Sequence, residues 1–233
     1  MYKIKNINDI PPFLMTLTSA YDHWMYISST GCLTAGKNEA KYAIFPYVTD
    51  DLLHQNISFT GPISLVKVKS KKEDKIWNPF SNNYLSEEIE RNLFKNALGN
   101  KIIFEEINYK YGLKFSYEWN CSEKFGFVRR SKIKNMNQSQ TKVEIMDGLM
   151  NIMPPGISLR TQQEMSNLAN AYKVSEILTN SNLTLFYLNS LIMDKPEPGE
   201  SLKTALAWTD LNVSNKIILD HTQLKKFYDN KSI

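Results

Sequence analysis

Residues 31–38 carry the first pattern in this sequence that could do chemistry. They read Gly-Cys-Leu-Thr-Ala-Gly-Lys-Asn, one residue away from the phosphate-binding loop Gly-x-x-x-x-Gly-Lys-Ser/Thr. The last hydroxyl of that loop ligates magnesium, whereas Asn38 supplies an amide. The loop must also open a helix, and the residues after Asn38 are mostly β-formers stopped by Pro46. We therefore predict a glycine-bounded turn between two strands.

Asp50, Asp51 and His54 are the second candidate for chemistry. Two carboxylates and an imidazole suit acid–base catalysis or metal binding, and a free-standing hydrolase would need them to converge in a cleft. The same residues are common on solvated loops, and no second His, Asp or Glu cluster in the sequence supports them. The sequence therefore predicts no catalytic residue, no metal ion and no cofactor, and a hydrolase is only the third choice.

Composition argues against several classes of function. The net charge is +4, and 24 lysines stand against 4 arginines, whereas nucleic-acid-binding proteins favour arginine. The two cysteines, Cys32 and Cys121, form neither a disulfide framework nor a metal quartet. The sequence has no secretory leader pattern and no run of about 18 apolar residues. We predict a cytoplasmic protein that binds neither nucleic acid nor membrane.

Most of the chain is predicted to form strands. Four runs rich in aromatic and β-branched residues are residues 102–107, 113–119, 125–130 and 143–146. In the second run, apolar residues at 113, 115, 117 and 119 alternate with polar residues at 114, 116 and 118, which places one set on a buried sheet face. The neighbours Glu105 and Glu106 then point to opposite faces, so they cannot flank one substrate as glycosidase carboxylates do.

The pattern as a whole indicates a mainly β fold, a large antiparallel β-sandwich with a few inserted helices. We expect a single domain over residues 1–233, with helices at about 86–98, 160–178 and 222–229 and strands at 183–188 and 204–208. Arg129 and Arg130, followed by Lys132 and Lys134, form a basic patch with alternate residues on one face. This basic patch is read as a solvated strand edge, or as a contact for a phosphate or an acidic partner.

Seven short stretches point to a known family. They are residues 24–31 (Trp-Met-Tyr-Ile-Ser-Ser-Thr-Gly), 33–36, 45–51 (Phe-Pro-Tyr-Val-Thr-Asp-Asp), 96–101, 123–130 (Glu-Lys-Phe-Gly-Phe-Val-Arg-Arg), 147–149 and 153–156. Spread over about residues 20–209, they resemble the N-terminal region of large bacterial proteins akin to cellobiose phosphorylase and related glycoside hydrolases. None of these stretches is a catalytic signature.

The resemblance implies a β-sandwich that precedes a helical linker and a catalytic (α/α)6 barrel. The sandwich would support the barrel, present in the same protein or as a separate chain, and would help to form a homodimer. The barrel is absent from this chain, so we expect no activity from the chain alone. The family sandwich is somewhat longer than 233 residues, so the resemblance also implies truncation at the C-terminus.

The sequence therefore predicts a non-catalytic sandwich portion of a carbohydrate-active phosphorylase or glycoside hydrolase. The alternative is an independent carbohydrate-binding or adaptor module without a barrel partner. If the chain touches carbohydrate, the contacts expected are Tyr47, Asp50, Asp51 and His54, because a tyrosine ring stacks on a sugar and carboxylates accept hydrogen bonds from its hydroxyl groups.

Overall fold

The structure is mainly β. The computed structural model describes residues 1–55, 59–81, 88–179, 181–193, 197, 199–210 and 216–229. Strands account for 44% of the described residues and helices for 15%, and the sheets are antiparallel, which confirms the predicted sandwich-like class. The strands are β1 (Tyr2–Lys5), β2 (Leu14–Leu17), β3 (His23–Ser28), β4 (Leu33–Lys37), β5 (Ala43–Phe45), β6 (Gly61–Val68), β7 (Lys75–Trp77), β8 (Ile89–Lys95), β9 (Lys101–Asn108), β10 (Leu113–Ser122), β11 (Gly126–Asn135), β12 (Val143–Met150), β13 (Lys173–Ile177), β14 (Leu183–Leu188) and β15 (Thr204–Trp208).

The helices are short and are inserted between the strands. They are α1 (Asp50–Gln55), α2 (Leu159–Glu164), α3 (Ser166–Tyr172) and α4 (His221–Tyr228), with 3-10 turns at Ile7–Asp9 and Ala40–Tyr42. The chain separates into two compact units. The first contains Met1–Asn38 and Val48–Asn151, and the second contains Glu39–Tyr47 and the described residues of Ile152–Ile233. Whether the two units form the single domain that we expected over residues 1–233 stays a prediction.

The first unit is built around a five-stranded sheet in the order β1-β8-β9-β10-β11. Strands β12, β6 and β7 pair in that order in a second sheet, and β2, β3 and β4 pair in a third. Burial alternates along β9 and β10, as predicted from the period of two. Phe115 of β10 meets Trp77 of β7 edge to face with ring centroids 6.5 Å apart, so the five-stranded sheet packs on the second sheet through buried aromatic rings.

A buried ion pair lies within this aromatic core. Glu106 is fully buried and accepts hydrogen bonds from Trp77 Nε1 at 2.6 Å, from the Phe80 backbone N–H at 2.6 Å and from Arg91 Nε at 2.7 Å. The Arg91 guanidinium also donates to the Ser81 carbonyl at 2.7 Å. Glu105, by contrast, lies on the outer face beside Lys114. The prediction that the two glutamates point to opposite faces is confirmed.

A second charged bridge joins the five-stranded sheet to the β12-β6-β7 sheet. Arg129 of β11 donates to both carboxylate oxygens of Asp147 on β12, each at 2.8 Å, and to Ser64 Oγ on β6 at 3.2 Å. Its guanidinium lies 4.8 Å from the ring centroid of Tyr117, and burial raises the pKa of that tyrosine. Arg129 therefore holds two layers together and does not belong to the exposed basic patch.

The predicted helix at about residues 86–98 is wrong over the residues that the structure describes there. Residues Ile89–Lys95 form β8, paired with β1 on one side and with β9 on the other. Ile89, Leu93 and Phe94 have helical spacing, but Arg91 lies between them and is drawn inward by Glu106. Pairing with two strands and burial of this ion pair override the local helix signal.

The predicted helix at residues 160–178 is correct only in its first two thirds. Helix α2 ends at Glu164, Met165 departs from helical geometry (φ −134°, ψ 41°), and α3 ends at Tyr172. Residues Lys173–Ile177 form β13, which pairs with β14. The expected strands at 183–188 and 204–208 are β14 and β15, and the expected last helix is α4.

The second unit pairs β13, β14 and β15 in that order and buries a small apolar cluster. The cluster contains Met153, Ile157, Ala169 and Leu188. Gln162 of α2 fixes the neighbouring chain segment, since its Nε2 donates to the carbonyls of Ala40 and Ile157 at 2.8 Å and its Oε1 accepts from the Tyr47 N–H at 3.0 Å.

Replacing Gly31 by alanine is expected to lower the free energy of unfolding by about 1–2 kcal/mol. Gly31 has φ +97°, and a Cβ there would lie 2.7 Å from the Tyr117 hydroxyl oxygen, so both backbone and packing resist the change. Urea unfolding measures the loss. The control is Gly148→Ala on β12, where a Cβ meets nothing within 4 Å; an equal loss there would contradict the explanation.

Candidate functional site

The residues predicted to contact sugar are divided between the two units. Tyr47 ends a segment of the second unit, and its backbone N–H is held by Gln162. Asp50, Asp51 and His54 belong to α1 in the first unit. The side chain of Asp50 lies outside the described part of the structure. The sugar-contact role of these four residues stays a prediction.

Asp51 has a local structural partner at the start of α1. Its Oδ1 accepts a hydrogen bond from Thr49 Oγ1 at 2.7 Å. That bond, helped by the Leu52 backbone N–H, lowers the pKa of the Asp51 carboxyl. The side chain is exposed, and the helix is anchored by Leu53, which is 1% exposed. The Asp51 carboxylate therefore stabilises the first turn of a short helix.

His54 joins α1 to the end of β3. Its Nδ1 lies 2.7 Å from Ser28 Oγ, which is a distance suited to a nucleophile and its base. Ser28, however, is fully buried, and its Oγ also accepts the Thr30 N–H at 3.1 Å and lies 2.8 Å from Thr30 Oγ1. A serine without solvent exposure offers no approach for a substrate. The geometry supports a structural role for the Ser28–His54 pair.

The segment that approximates a phosphate-binding loop forms a turn followed by strand β4. Gly31 lies in the turn, and β4 begins at Leu33 and ends at Lys37. The side chains of Leu33, Thr34 and Ala35 are buried. The expected turn is thus confirmed but shorter than predicted, since most of the segment is strand.

A shallow groove of about 390 Å³ crosses the outer face of the five-stranded sheet. We call it the outer groove and define it by the outward-facing side chains Phe94, Ile103, Glu105, Lys114, Ser116, Glu118, Arg130, Lys132 and Lys134. Its volume lies at the lower end of the range of about 300–1,000 Å³ typical of small-molecule sites. The groove is large enough for a small ligand or part of an extended chain.

Strand register determines which side chains are neighbours in the outer groove. Directly opposite residues on adjacent antiparallel strands have Cβ atoms about 5 Å apart. The first row across the sheet is Lys3, Phe94, Ile103, Glu118 and Arg130. The second row is Lys5, Asn92, Glu105, Ser116 and Lys132. Each row therefore runs from a lysine of β1 to a cation of β11.

Charges in the outer groove are only partly paired. Lys114 contacts Glu105 at 2.9 Å, and Glu118 is contacted by Lys101 at 2.8 Å and by Arg130 at 3.4 Å. Four cationic and two carboxylate side chains line the groove, which leaves a surplus of two positive charges. The groove is therefore a mixed polar surface with a positive bias and an apolar side at Phe94 and Ile103.

Strand β11 forms one edge of the five-stranded sheet, as expected for the basic patch. Arg130, Lys132 and Lys134 are exposed on its outer side. Sequence reasoning found these cations by their alternation but missed Glu105, Lys114 and Glu118 as part of the same surface. The polar positions of β10 were a usable signal, although their neighbours on β9 and β11 were unknown without the register.

The second unit has an exposed apolar sheet face. Trp208 is 48% exposed and lies opposite Leu183 of β14, and Leu206 is 52% exposed and lies opposite Leu185. We call this surface the apolar face and define it by Val174, Leu183, Leu185, Tyr187, Leu206 and Trp208, which share one side of the β13-β14-β15 sheet. An exposed apolar sheet face is a candidate interaction surface.

Comparisons with protein-family models and with curated proteins found no match for this chain. Within the described ranges, three or more His, Cys, Asp or Glu side chains nowhere come together as metal ligands. The helices that the structure describes include none that is long and apolar enough to cross a membrane. The outer groove and the apolar face are therefore the basis for a functional assignment.

Proposed function

We propose that this chain is the non-catalytic sandwich portion of a cytoplasmic carbohydrate-active phosphorylase or glycoside hydrolase. Its role is to support a catalytic helical barrel, as a domain of the same protein or as a separate chain. The observation that carries the proposal is the apolar face, where Leu206 and Trp208 project from β15 with about half of their surface exposed.

The chemistry of the apolar face suits a permanent partner domain. The one carboxylate on this side of the sheet among its described residues is Glu176, whose Oε2 accepts a hydrogen bond from the Tyr187 hydroxyl at 3.2 Å. Cores of stable interfaces are depleted in charged residues and enriched in aromatic ones. The face therefore fits an apolar domain surface better than a polar ligand, and we assign it to the barrel. A second copy of the chain is the competing occupant.

Replacing Leu206 and Trp208 together by serine is expected to weaken association through the apolar face by about tenfold or more, because buried aromatic anchors dominate interface energies. The chain is expressed alone and together with the coding sequence that follows it, and both products are run through size-exclusion chromatography with light scattering. Co-elution of the two products, lost in the double variant, supports the proposal.

Leu98→Ser is the matched control, since Leu98 is 75% exposed but lies in a turn of the first unit. It should leave association unchanged. A chain that remains a monomer in both preparations, with or without the serine substitutions, overturns the supporting role. Self-association of the chain alone, lost in the double variant, indicates that a second copy covers the face instead.

The second candidate function is an independent carbohydrate-binding or adaptor module. The outer groove favours it, because the groove lies entirely within the first unit and combines an apolar side with hydrogen-bonding side chains. Sugars present both C–H faces and hydroxyl groups and therefore need both kinds of contact. Binding of oligosaccharides to the chain alone tests this function. Loss of binding in Asp51→Ala, with the groove variants unaffected, would assign the contact to the α1 loop instead.

A further inference from the structure

We infer that the outer groove binds an acidic carbohydrate, namely an oligosaccharide that contains uronate sugars. The inference rests on the second candidate function and adds the chemical class of the ligand. A uronate sugar presents a carboxylate and several hydroxyl groups on one ring. The groove offers cations, carboxylates and an apolar side within the four neighbouring strands β8 to β11.

The cations on β11 are available to an anionic ligand. Lys132 and Lys134 are exposed, and no salt bridge to either is present among the described residues. The side chain of Arg130 is 76% exposed, and its contact to Glu118 is long at 3.4 Å. Hydrogen bonds between a cation and a carboxylate are about twice as strong as neutral ones. A carboxylated ligand would therefore gain most from this side of the groove.

The carboxylates of the groove favour a sugar over a nucleic acid. Glu105 accepts from Asn92 at 3.1 Å and from Lys114 at 2.9 Å, while an ionised carboxylate has about four lone-pair positions. It can therefore still accept a hydrogen bond from a hydroxyl group. Glu105 and Glu118 also limit the surplus of positive charge in the groove to two, which is small for a phosphate backbone with a charge on every nucleotide. A uronate sugar can place its carboxylate at the cations of β11 and its uncharged hydroxyl groups at the glutamates.

The register places cations, hydrogen-bonding side chains and an apolar residue next to one another in the outer groove. In the second row, Lys132 lies opposite Ser116, and Ser116 lies opposite Glu105. In the first row, Arg130 lies opposite Glu118, followed by the apolar Ile103. Because neighbouring positions are about 5 Å apart, one ring can meet a cation and a hydroxyl acceptor together.

If Lys132 and Lys134 have a purely structural role, a different experimental result is expected. Charged residues on an edge strand prevent edge-to-edge aggregation, and they do so without any ligand. If that were their whole role, replacing Lys132 and Lys134 would promote association of the chain and leave oligosaccharide binding unchanged or absent.

The experiment measures binding of oligogalacturonides to the intact chain by calorimetry at low and at high salt. The methyl esters of the same oligomers are the neutral probe. The double substitution Lys132→Gln and Lys134→Gln is expected to weaken binding about tenfold, equivalent to about 1.4 kcal/mol. Added salt should also weaken it, because it screens exposed charges. Lys71→Gln with Lys72→Gln is the matched control, since these lysines are exposed elsewhere in the same unit.

The possible outcomes test the acidic ligand and the carbohydrate-binding function separately. Tight binding of the acid, weak binding of the ester and an effect confined to the groove variant support the inference. Equal binding of acid and ester, insensitive to the groove lysines, overturns the acidic ligand but keeps the carbohydrate role. Failure of both probes overturns the acidic ligand, and failure of neutral oligosaccharides as well overturns the carbohydrate role. Tighter binding of single-stranded DNA assigns the cations to nucleic acid.

Discussion

Replacing Glu106 by alanine is expected to lower the free energy of unfolding by about 3–5 kcal/mol, because it leaves Arg91 as a buried charge without its carboxylate. The side chains of Arg91 and Glu106 are 5% and 0% exposed, so water cannot compensate. The Trp77 and Phe80 N–H groups lose their acceptor as well. Urea unfolding followed by tryptophan fluorescence and circular dichroism measures the change.

Two controls isolate the buried pair from a general effect of losing a glutamate. Glu105→Ala removes the same side chain from the adjacent position on the outer face, where its partners are Lys114 and Asn92, and should cost less, about 1–2 kcal/mol. Glu106→Leu combined with Arg91→Met should recover most of the stability, since removing both charges avoids the unpaired one. Equal losses in Glu105→Ala and Glu106→Ala would refute the buried-charge explanation.

Replacing Phe115 by alanine is expected to cost a similar amount, about 3–5 kcal/mol, through loss of burial and creation of a cavity. Phe115 is 1% exposed and meets Trp77 and Phe80 edge to face at centroid distances of 6.5 and 6.3 Å. The ring therefore contributes directly to packing between the two sheets. Thermal and urea unfolding report the loss, with calorimetry to check that unfolding remains two-state.

The control for Phe115 is the next residue on the same strand. Ser116 faces the outer groove, so Ser116→Ala should change stability by no more than about 0.5 kcal/mol. A loss of several kcal/mol at Ser116, or a negligible one at Phe115, would show that the inner and outer faces of β10 are assigned the wrong way round.

Local sequence patterns predicted the fold class well because a strand reports its two faces through a period of two. The alternation in residues 113–119 correctly assigned Phe115 inward and Lys114 outward, and the same rule separated Glu105 from Glu106. The rule failed at Ile89–Lys95, where spacing indicated a helix. There the partner that fixes the structure, Glu106, lies 15 residues from Arg91 and cannot be found by local periodicity.

The outer groove was also predictable in part from local sequence patterns and in part only from the tertiary structure. By itself the sequence determined that the chain is mainly β, which side chains share a strand face, and that Arg130, Lys132 and Lys134 are presented together. Only the tertiary structure decided that Glu105 and Glu118 line the same groove as these cations, because side-chain alternation is local to a strand. Strand order and register depend on packing between residues that are distant in the chain. The outer groove and the buried Arg91–Glu106 pair are both products of that packing.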